Sequence, residues 1–552
     1  MAGTMKAPES GVKIRMYRQG HGDCYLLAFA GKKNGRKDSI YVLIDCGLKP
    51  GSEVHKQKIN TIVDDIAEAT GGHIHVVAIT HEHQDHVNGF GKKIRGKHIF
   101  DKLTFDHCWL PWTEDETDET ANALREKFRD TLITLAFAQE KVNALMGAKA
   151  EGLQERIADL LGSEIGDEGV APAFLQEGAS LVSAFTEAKQ ANPNLGAAAI
   201  AELAIKGVSN KKAMAYVRKK AKAGVTFLSP EDDPQPIPHA DGIKAYTLGP
   251  PRDEALLLDL DPQGNEEFHL APSGRNFALG EAGRAFAMAA APAMRDHGDA
   301  HTFASQYRIG ADEVLDADPP LPATDLPQTD EEQREVDAVT YLRSAYGRRD
   351  RDNNAPEDWR RIDDDWLSVS EGLALRLNNE VNNTSLVLAF ELPNTGKVLL
   401  FTGDAQRGNW LGWADLKWDK DNGSTVTTRE LLSRCVLYKV GHHGSHNATL
   451  NGTDRDDHAN IGWMARGAFA EDFVAMIPAN TEWAMGKRKP WRHPLPEIEA
   501  ALHKKARGRV FRTDRDKIEK PDQELMSEGE WRAFKRRIKE TRLYFDFTIE
   551  DR

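Results

Sequence analysis

A run of histidines and carboxylates at positions 80–89 constrains the fold of this chain more than any other feature. The run reads Thr80-His-Glu-His-Gln-Asp-His86-Val-Asn-Gly89 and follows an apolar stretch, 74–79, that predicts a buried β-strand. Crowded at the end of a strand, three imidazoles and an aspartate repel one another or lack partners unless a cation binds them. The run therefore predicts a metal site just beyond a strand.

The spacing His-x-His-x-Asp-His predicts two ions rather than one. His81 and His83 are two positions apart and are expected to point the same way from a loop, whereas Asp85 and His86 turn towards a second ion. Imidazole suits zinc and also manganese or iron, and the carboxylate favours the latter two metals. The alternative is a solvated, histidine-rich turn, which is disfavoured because so many metal-binding side chains coincide.

The composition indicates a soluble globular protein with an acidic balance. Among its 552 residues 29% are charged, and the net charge is −14. This charge argues against a protein that coats nucleic acid non-specifically, but bound cations reverse the local field, so a metallonuclease stays open. The four cysteines form no CxxC pair, and we find neither an apolar signal segment nor a transmembrane run. We therefore expect a cytoplasmic protein without a membrane partner.

Composition also predicts a core that is interrupted by two insertions. Alanine, glutamate, lysine and leucine dominate the first insertion, with apolar residues three and four positions apart, which predicts a helical bundle. The second contains a Pro/Asp-rich segment, 316–327, that is poor in apolar residues. The predicted division is 11–113 (first half of the core), 114–240 (helical insertion), 241–252 (core strand), 253–381 (second insertion) and 382–552 (second half of the core).

Two hypotheses for the insertions stay open at this point. The insertions either control access to the site, with a regulatory protein partner bound to them as one form of that control, or they are family-specific decoration or an oligomer contact. Because both leave the core from strands and return to strands, the core is expected to close without them.

The order of the core segments predicts an α/β fold. A buried strand at 41–45, an amphipathic helix from Glu53 to Thr70 and the strand at 74–79 form a strand–helix–strand unit. Farther along, the segments 382–390 and 397–402 predict a β-hairpin.

Four segments are expected to end at one edge of the predicted sheet, where open α/β sheets place their sites. The first is the 80–89 run, and the others carry Asp404, His442–His446 and His493. The Asp404 carboxylate can bridge two ions, which together hold a phosphoryl oxygen and bind water as hydroxide. One imidazole of the Gly-His-His-Gly-Ser loop completes the second ion's shell. We favour His442 because it follows the strand more directly than His443.

Predicted roles in the site follow from this convergence. Ser445, His446 and His493 are expected to bind a substrate phosphate or to protonate its leaving oxygen. Asp85 is expected to be both a metal ligand and a catalytic group. The predicted metal ligands are His81, His83, Asp85, His86, Asp404 and His442.

Several motifs occur in the order found in ComEC-type metallo-β-lactamase domains, and as a set they are specific. They are Gly20–Asp23, the His-x-His-x-Asp-His box, and the segments 383–388, 401–404, 439–445, 492–494 and 510–514. The chain therefore resembles a stand-alone ComEC-type domain without the membrane channel, over about half of its length. The two insertions match nothing that we recognise.

The resemblance implies an αββα sandwich that holds two divalent ions, Zn²⁺ or Mn²⁺, for hydrolysis. It also implies that Asp23, Asp45 and His443 support the ligands from outside, as Asp45 matches the aspartate that holds the histidine loop in this fold. DNA-degrading activity is attributed to the competence members. Related stand-alone proteins include phosphorylcholine esterases and effectors associated with bacterial anti-phage systems.

This chain departs from the family pattern in two ways. Competence members often carry aspartate where this chain has His83, so the first ion's shell is fuller here. The separate middle histidine of true β-lactamases has no counterpart that we can identify, which argues against classical lactam hydrolysis.

Three classes of function are left. The first choice is a metal-dependent nuclease that cleaves DNA phosphodiesters through a metal-bound hydroxide, with an anti-phage defence role as one implication. The second is a small-molecule phosphodiesterase or other ester hydrolase. The third is a non-catalytic metal-binding scaffold, which is disfavoured because nearly every metal position is filled.

Overall fold

The computed structural model describes most of both predicted core halves and much of the first insertion. The described residues are 3–33, 35–146, 151–165, 174–193, 195–206, 208–240, 242–268, 365–419, 423–487 and 490–552. The Pro/Asp-rich segment 316–327, and with it most of the second insertion, lies outside them. The fold is α/β, with two large sheets and helices from several parts of the chain.

The described chain contains nineteen strands, counted in chain order. Their bounds are β1 Gly11–Tyr17, β2 Tyr25–Lys33, β3 Arg36–Ile44, β4 His73–Ala78, β5 Lys93–Ile94, β6 Lys97–His98, β7 Thr104–Pro111, β8 Val225–Leu228, β9 Gln235–Pro236, β10 Lys244–Gly249, β11 Val387–Glu391, β12 Val398–Phe401, β13 Lys417–Asp419, β14 Thr425–Thr427, β15 Cys435–Lys439, β16 Val474–Ile477, β17 Val510–Arg512, β18 Ile538–Glu540 and β19 Tyr544–Glu550.

The α-helices of the described chain lie between these strands. Their bounds are α1 Ile59–Thr70, α2 Gln84–Gly91, α3 Glu119–Met146, α4 Glu151–Ile165, α5 Phe174–Ala191, α6 Ala197–Ile205, α7 Ser209–Lys220, α8 Glu254–Leu257, α9 Asp365–Asn382, α10 Arg407–Trp413, α11 Thr428–Ser433, α12 Thr481–Met485, α13 Pro496–Lys505 and α14 Glu528–Arg536. None of these helices is both long and apolar enough to cross a membrane.

The first sheet contains the strand–helix–strand unit predicted from the sequence. Its strand order is β18-β19-β1-β2-β3-β4-β7-β8, and β3, β4, β7 and β8 run parallel to one another. The helix of the unit begins at Ile59 rather than at Glu53, so the predicted start is wrong. His55 and Lys56 adopt left-handed backbone angles (φ 53° and 56°), which a continuous α-helix cannot include. Gly71 ends the helix, also in the left-handed conformation (φ 63°).

The second sheet has the strand order β17-β16-β15-β12-β11-β10-β9. The predicted hairpin is present, since β11 and β12 pair antiparallel from Leu388 opposite Phe401 to Glu391 opposite Val398. The strands β12, β15, β16 and β17 are parallel, so their carboxyl ends lie along one side of this sheet.

One hydrophobic cluster contains buried side chains from both sheets. It includes Val12, Leu27 and Val42 of the first sheet, and Leu388, Leu399 and Met476 of the second. Two further clusters pack helices against the sheets, with α1, α2 and α7 on the first and α10, α11 and α13 on the second. Burial of these apolar surfaces removes them from water and supplies the main stabilising contribution.

The two predicted insertions share a hydrophobic core. Apolar residues of α3, α4, α5 and α6 pack against α9, which is the last helix of the second insertion. Ile133, Leu161 and Phe185 from the first insertion and Leu377 from the second are buried in this cluster. The inserted helices therefore form one bundle, and α9 leads from it directly to β11.

The predicted first insertion is not helical to its end. Residues 225–228 form β8, which pairs parallel with β7, and the short strand β9 pairs with β10. Helix α7 also packs on the first sheet through Met214 and Val217 rather than joining the bundle. The four residues of β8, of which three are apolar, are too short a run to show the periodicity that would predict the added strand.

Candidate metal centre

The carboxyl ends of parallel strands bring four separate segments together. Strand β4 leads to the 80–89 run, β12 to Asp404, β15 to the loop 441–446, and β16 to the segment that includes Pro478. Because β4 belongs to one sheet and the other three to the second, the site lies where the ends of both sheets meet.

Four buried side chains form the centre of the site: Asp85, His86, Asp404 and His443. One ligand atom from each lies within 4.8 Å of the others, and each residue is at most 2% exposed. His86 Nε2 lies 3.3 Å from Asp404 Oδ2. His443 Nε2 lies 2.9 Å from Asp85 Oδ2 and 3.5 Å from Asp404 Oδ2.

The orientation of the two histidines leaves a lone pair on each Nε2. His86 Nδ1 lies 2.8 Å from Asp45 Oδ2, and His443 Nδ1 lies 2.7 Å from the Pro478 carbonyl. Both of these oxygen atoms accept a hydrogen bond, so each ring carries a proton on Nδ1 and donates it there. In the neutral rings Nε2 then faces carboxylate oxygens that also carry only lone pairs. Such a pairing requires a second proton or a cation between the groups.

The backbone of the 80–89 run is held by close contacts with the turns after β1 and β3. Asp23 N donates to the Asp85 carbonyl (3.0 Å), and Cys46 N donates to the His86 carbonyl (2.8 Å). A Cβ atom on Gly47 would lie 2.3 Å from the Asp85 carbonyl carbon, so only glycine allows this approach. Asp45 itself has a left-handed backbone (φ 54°) and accepts hydrogen bonds from both the amide and the hydroxyl of Thr80.

His81 and His83, predicted to share one ion, have different surroundings. His81 is 1% exposed, and its Nε2 has no hydrogen-bond partner among the described residues. Its Nδ1 lies 3.1 Å from Thr80 Oγ1 and 3.2 Å from Ser385 Oγ. His83 Nε2 instead lies 2.7 Å from Glu164 Oε1, on the inserted helix α4. The His81 and His83 rings are neighbours, with centroids 4.6 Å apart.

A buried lysine balances part of the negative charge in the site. Lys439, 1% exposed, forms an ion pair with Asp23, lies 3.5 Å from Asp404 Oδ1 and donates to the Gly403 carbonyl (2.7 Å). Burial alone would raise the pKa of Asp404, but His86, His443 and Lys439 hold it well below its usual value. Burial likewise lowers the pKa of His86, yet Asp404, Asp45 and Asp23 together raise it well above the usual value. The carboxylates of the site thus favour positive charge.

His443, rather than the favoured His442, lies in the cluster of four. The ring nitrogens of His442 lie near amide groups instead, Nδ1 3.4 Å from Gln406 Nε2 and Nε2 3.3 Å from Asn382 Nδ2. Burial, the largest influence, lowers the pKa of His442 to about 3. Both histidines have left-handed backbone angles (φ 40° and 55°), so the loop reverses immediately after β15. Proximity to the strand was therefore a poor guide to which ring faces the carboxylates.

The residues predicted to contact substrate lie in different surroundings. His493 lines the cleft beside the cluster, and its Nδ1 lies 3.3 Å from His21 Nε2. Ser445 is buried and donates to Asn447 Oδ1 (3.0 Å). The His446 side chain is 58% exposed, with Nε2 3.2 Å from Asp261 Oδ1. Of these three residues, His493 is the one whose ring packs near a histidine of the centre, with its centroid 6.3 Å from that of the His443 ring.

Sequence reasoning did not identify several side chains of the site. His21 lies within the Gly20–Asp23 motif, and Lys439 begins the segment 439–445. Their positions in the sequence, close to Asp23 and His443, are the signal by which they could be found. Lys49, which lies 3.2 Å from Asp85 Oδ1, follows the Asp-Cys-Gly turn. Glu164 and Asn378 belong to the inserted helices α4 and α9, where no motif marks them.

The described residues enclose a cavity of about 750 Å³ at the centre. One wall comes from the core segments and includes Asp404, His443 and His493. The other comes from the insertions, with Leu160 of α4 and Asn378 of α9. A cavity of this volume takes a small molecule or the end of a chain.

The arrangement fits divalent cations. His81 Nε2 and His86 Nε2 are buried and have no hydrogen-bond partner among the described residues, and the carboxylates of Asp85 and Asp404 lie beside His86. Imidazole nitrogens together with carboxylate oxygens are the donors that zinc and manganese accept. A scan of protein-family models and a search of curated proteins found no match to this chain.

Proposed function

We propose that the protein is a metal-dependent hydrolase of phosphodiester bonds, with the αββα architecture of the metallo-β-lactamase family. The observation that carries the proposal is the buried cluster of Asp85, His86, Asp404 and His443, in which two imidazole lone pairs face carboxylates. The shared core of the two sheets and the helices packed outside both sheets support the architecture.

The residues divide into two candidate ion positions. Asp85, His86, Asp404 and His443 would hold one ion, and His81 and His83 would hold the other, with Asp404 as the carboxylate that we propose for both. Bound there, Zn²⁺ or Mn²⁺ supplies Lewis acidity and lowers the pKa of water, the chemistry that phosphodiester hydrolysis needs.

The protein's own side chains orient these ligands and separate the site from bulk water. Asp45 holds His86 through Nδ1, and the Pro478 carbonyl holds His443 in the same way. Lys439 attracts the Asp404 carboxylate by its charge, and it also donates a hydrogen bond to the carbonyl of the preceding residue, Gly403. Such outer contacts set ring tautomers and keep the ligand atoms in place.

His493 is the side chain best placed to act on the substrate. Burial lowers the pKa of His493 well below its usual value, with His442 and His443 adding to the effect, so the ring is neutral near pH 7. A neutral imidazole that lines the cavity can accept a proton from the attacking water and then donate it to the leaving oxygen. Arg492 lines the same cavity and adds positive charge for a phosphate.

DNA is the first substrate class to test, and a small phosphodiester is the second. The resemblance to competence nucleases favours DNA, as does a defence role of the kind that related effectors have. The cavity favours the smaller substrate, because the insertions supply one of its walls and because Asp259 and Asp261 line it and repel a long polyanion. A DNA substrate would therefore enter as a single strand or a frayed end.

Hydrolysis assays with defined metal content test this function. The chain is stripped with EDTA, reloaded with Mn²⁺ or Zn²⁺, and assayed on supercoiled plasmid, short single strands, bis-p-nitrophenyl phosphate and a β-lactam. We expect metal-dependent cleavage of the phosphodiesters and none of the lactam. Cleavage of bis-p-nitrophenyl phosphate without any cleavage of DNA would favour the small-molecule function. Inactivity on all phosphodiesters with both ions would overturn the proposal.

Replacing His493 with alanine is expected to lower turnover while metal content stays constant. A proton-transfer group of this kind contributes about 100-fold or more to the rate. The measurement is kcat on bis-p-nitrophenyl phosphate together with metal analysis of the same sample. His503→Ala serves as the control, because His503 lies on α13, pairs with Glu499 and does not line the cavity. Loss of metal from the His493 variant would make this histidine a ligand, and unchanged turnover would remove it from the mechanism.

A further inference from the structure

We propose that the inserted helical bundle is a working part of the metal centre, because Glu164 on helix α4 positions His83 for its ion. This inference rests on the proposed metal-dependent function. It assigns a role to a residue that lies outside the core and outside every motif of the resemblance.

The contact between Glu164 and His83 is short and buried. Glu164 Oε1 lies 2.7 Å from His83 Nε2, and the two residues are 7% and 1% exposed. Since a carboxylate only accepts, the His83 ring donates from Nε2, which leaves the Nδ1 lone pair for a cation. Asn378, on α9, donates to the same Glu164 oxygen at 3.2 Å. Both inserted segments therefore contribute to this contact.

The same arrangement occurs at the other histidines of the centre. His86 donates one ring proton to Asp45, and His443 donates one to the Pro478 carbonyl, so each ring keeps its second nitrogen for the ion. His83 follows this arrangement through Glu164. A carboxylate that binds the far side of a ligand imidazole fixes the tautomer and makes the ring a stronger donor to the metal.

Several contacts hold the C-terminal end of helix α4, which carries Glu164. Asn210 Nδ2 donates to the carbonyls of Ser163 (2.8 Å) and Glu164 (2.9 Å), at the end of the helix where carbonyls lack partners. Lys49, which pairs with Asp85, also donates to Ser163 Oγ. Earlier in the same helix, Asp159 forms an ion pair with Lys487 at 3.0 Å. Contacts from α7 and from the core thus hold the end of α4 that carries Glu164.

This role also addresses the missing middle histidine. With fewer protein ligands than a β-lactamase supplies, the ion at His81 and His83 depends more heavily on how well those two rings are oriented. Glu164 provides that orientation for His83, and Ser385 and Thr80 lie against Nδ1 of His81. Removal of the Glu164 carboxylate should therefore weaken this ion position while leaving the cluster of Asp85, His86, Asp404 and His443 intact.

Cobalt titration of two Glu164 variants tests the inference. Co²⁺ reports its ligands by visible absorption, so binding is measured without reference to activity. For Glu164→Ala we expect two ions per chain, with the affinity of one lowered about 10- to 100-fold, the usual effect of losing such an outer partner. Glu164→Gln keeps an acceptor for the His83 proton but loses the charge, and it should fall between the wild type and Glu164→Ala.

Glu380→Gln is the matched control. Glu380 is a 5% exposed carboxylate on α9 that pairs with Arg376 and does not itself line the cavity, so its loss perturbs the same bundle without removing a contact of His83 or Glu164. Its cobalt affinities should equal those of the wild type, and thermal unfolding of all apoproteins checks that each variant is folded.

The outcomes separate this inference from the proposed function. Two wild-type ions, with one of them weakened in Glu164→Ala, would support both. Two ions of wild-type affinity in Glu164→Ala would overturn the role of Glu164 and leave the metal-dependent function standing. Equal weakening in Glu380→Gln would also overturn it, because the effect would then arise from the bundle as a whole. A wild-type chain that binds no Co²⁺ would overturn both.

Discussion

The Asp404→Asn variant is expected to lose nearly all phosphodiesterase activity, with kcat/KM reduced by about 1000-fold or more. Asp404 is the carboxylate that lies against His86 and His443 at once, at 3.3 and 3.5 Å. Asparagine preserves its shape but removes the charge that draws a cation to either position. Because metal ions contribute several kcal/mol to such reactions and 1.36 kcal/mol corresponds to a tenfold change in rate, the expected loss is of this order.

Asp472→Asn is the matched control for this substitution. Asp472 is also ion-paired, with Lys397 and Arg537 at 2.9 Å each, but it precedes β16 and so lies at the opposite end of that strand from the site. The assay is steady-state hydrolysis of bis-p-nitrophenyl phosphate at saturating Mn²⁺. Activity within a few-fold of the wild type in Asp404→Asn would contradict a role for this carboxylate in metal binding.

Alanine substitutions of His442 and His443 should differ sharply, although the two residues are adjacent. For His443→Ala we expect metal affinity to fall by more than about 100-fold, since even an outer partner of a ligand contributes about 10- to 100-fold. For His442→Ala metal affinity should stay unchanged, because both ring nitrogens of His442 lie near amides of Gln406 and Asn382. Activity of His442→Ala should fall by at most about tenfold, the effect of a lost hydrogen bond.

Each variant of this pair is the control for the other. Both replace a histidine of the same loop, so damage to the loop would appear in both. Isothermal titration with Zn²⁺ separates the two residues. Loss of binding in His442→Ala with retention in His443→Ala would reverse the assignment and restore His442 as the ligand.

The convergence of the core strands could be predicted from the sequence, because motif order and strand ends carry that information. Parallel strands expose their carboxyl ends on one side of a sheet, which brings the residues after β12 and β15 together. Strand β4 belongs to the other sheet, so the prediction of a single sheet edge is wrong, and the ends of two sheets meet at the site instead. The α/β class followed from the same pattern. The prediction did not depend on the sequence separation between His86 and Asp404, because the chain returns from the insertions to strands of the core.

The choice between His442 and His443 could not be made from the sequence. Side chains alternate in direction along a strand, but the chain leaves β15 with two successive left-handed residues, for which the alternation rule fails. Backbone reversals of this kind in non-glycine residues store strain and concentrate at functional sites. Distances in three dimensions are needed to decide which ring faces the carboxylates.

Glu164 could not be recognised for a different reason. In an alanine-rich amphipathic helix, a glutamate is expected on a solvated face, and no spacing rule connects it to a histidine 81 positions earlier. Both hypotheses for the insertions, access control and decoration or an oligomer contact, assume that the core closes without them. The contacts of Glu164, Asn378 and Ser163 place the bundle in the wall of the site. The segment 316–327 lies outside the described residues. That it controls access to the site stays a hypothesis, which limited proteolysis would test.

Anomalous scattering from crystals grown with Zn²⁺ tests the central claim most directly. Data collected above and below the zinc absorption edge locate the ion without reference to any substrate. We expect one anomalous peak bounded by Asp85, His86, Asp404 and His443, and a second beside His81 and His83. A well-ordered site that shows no peak between these side chains would contradict the claim that this protein is a metal-dependent hydrolase.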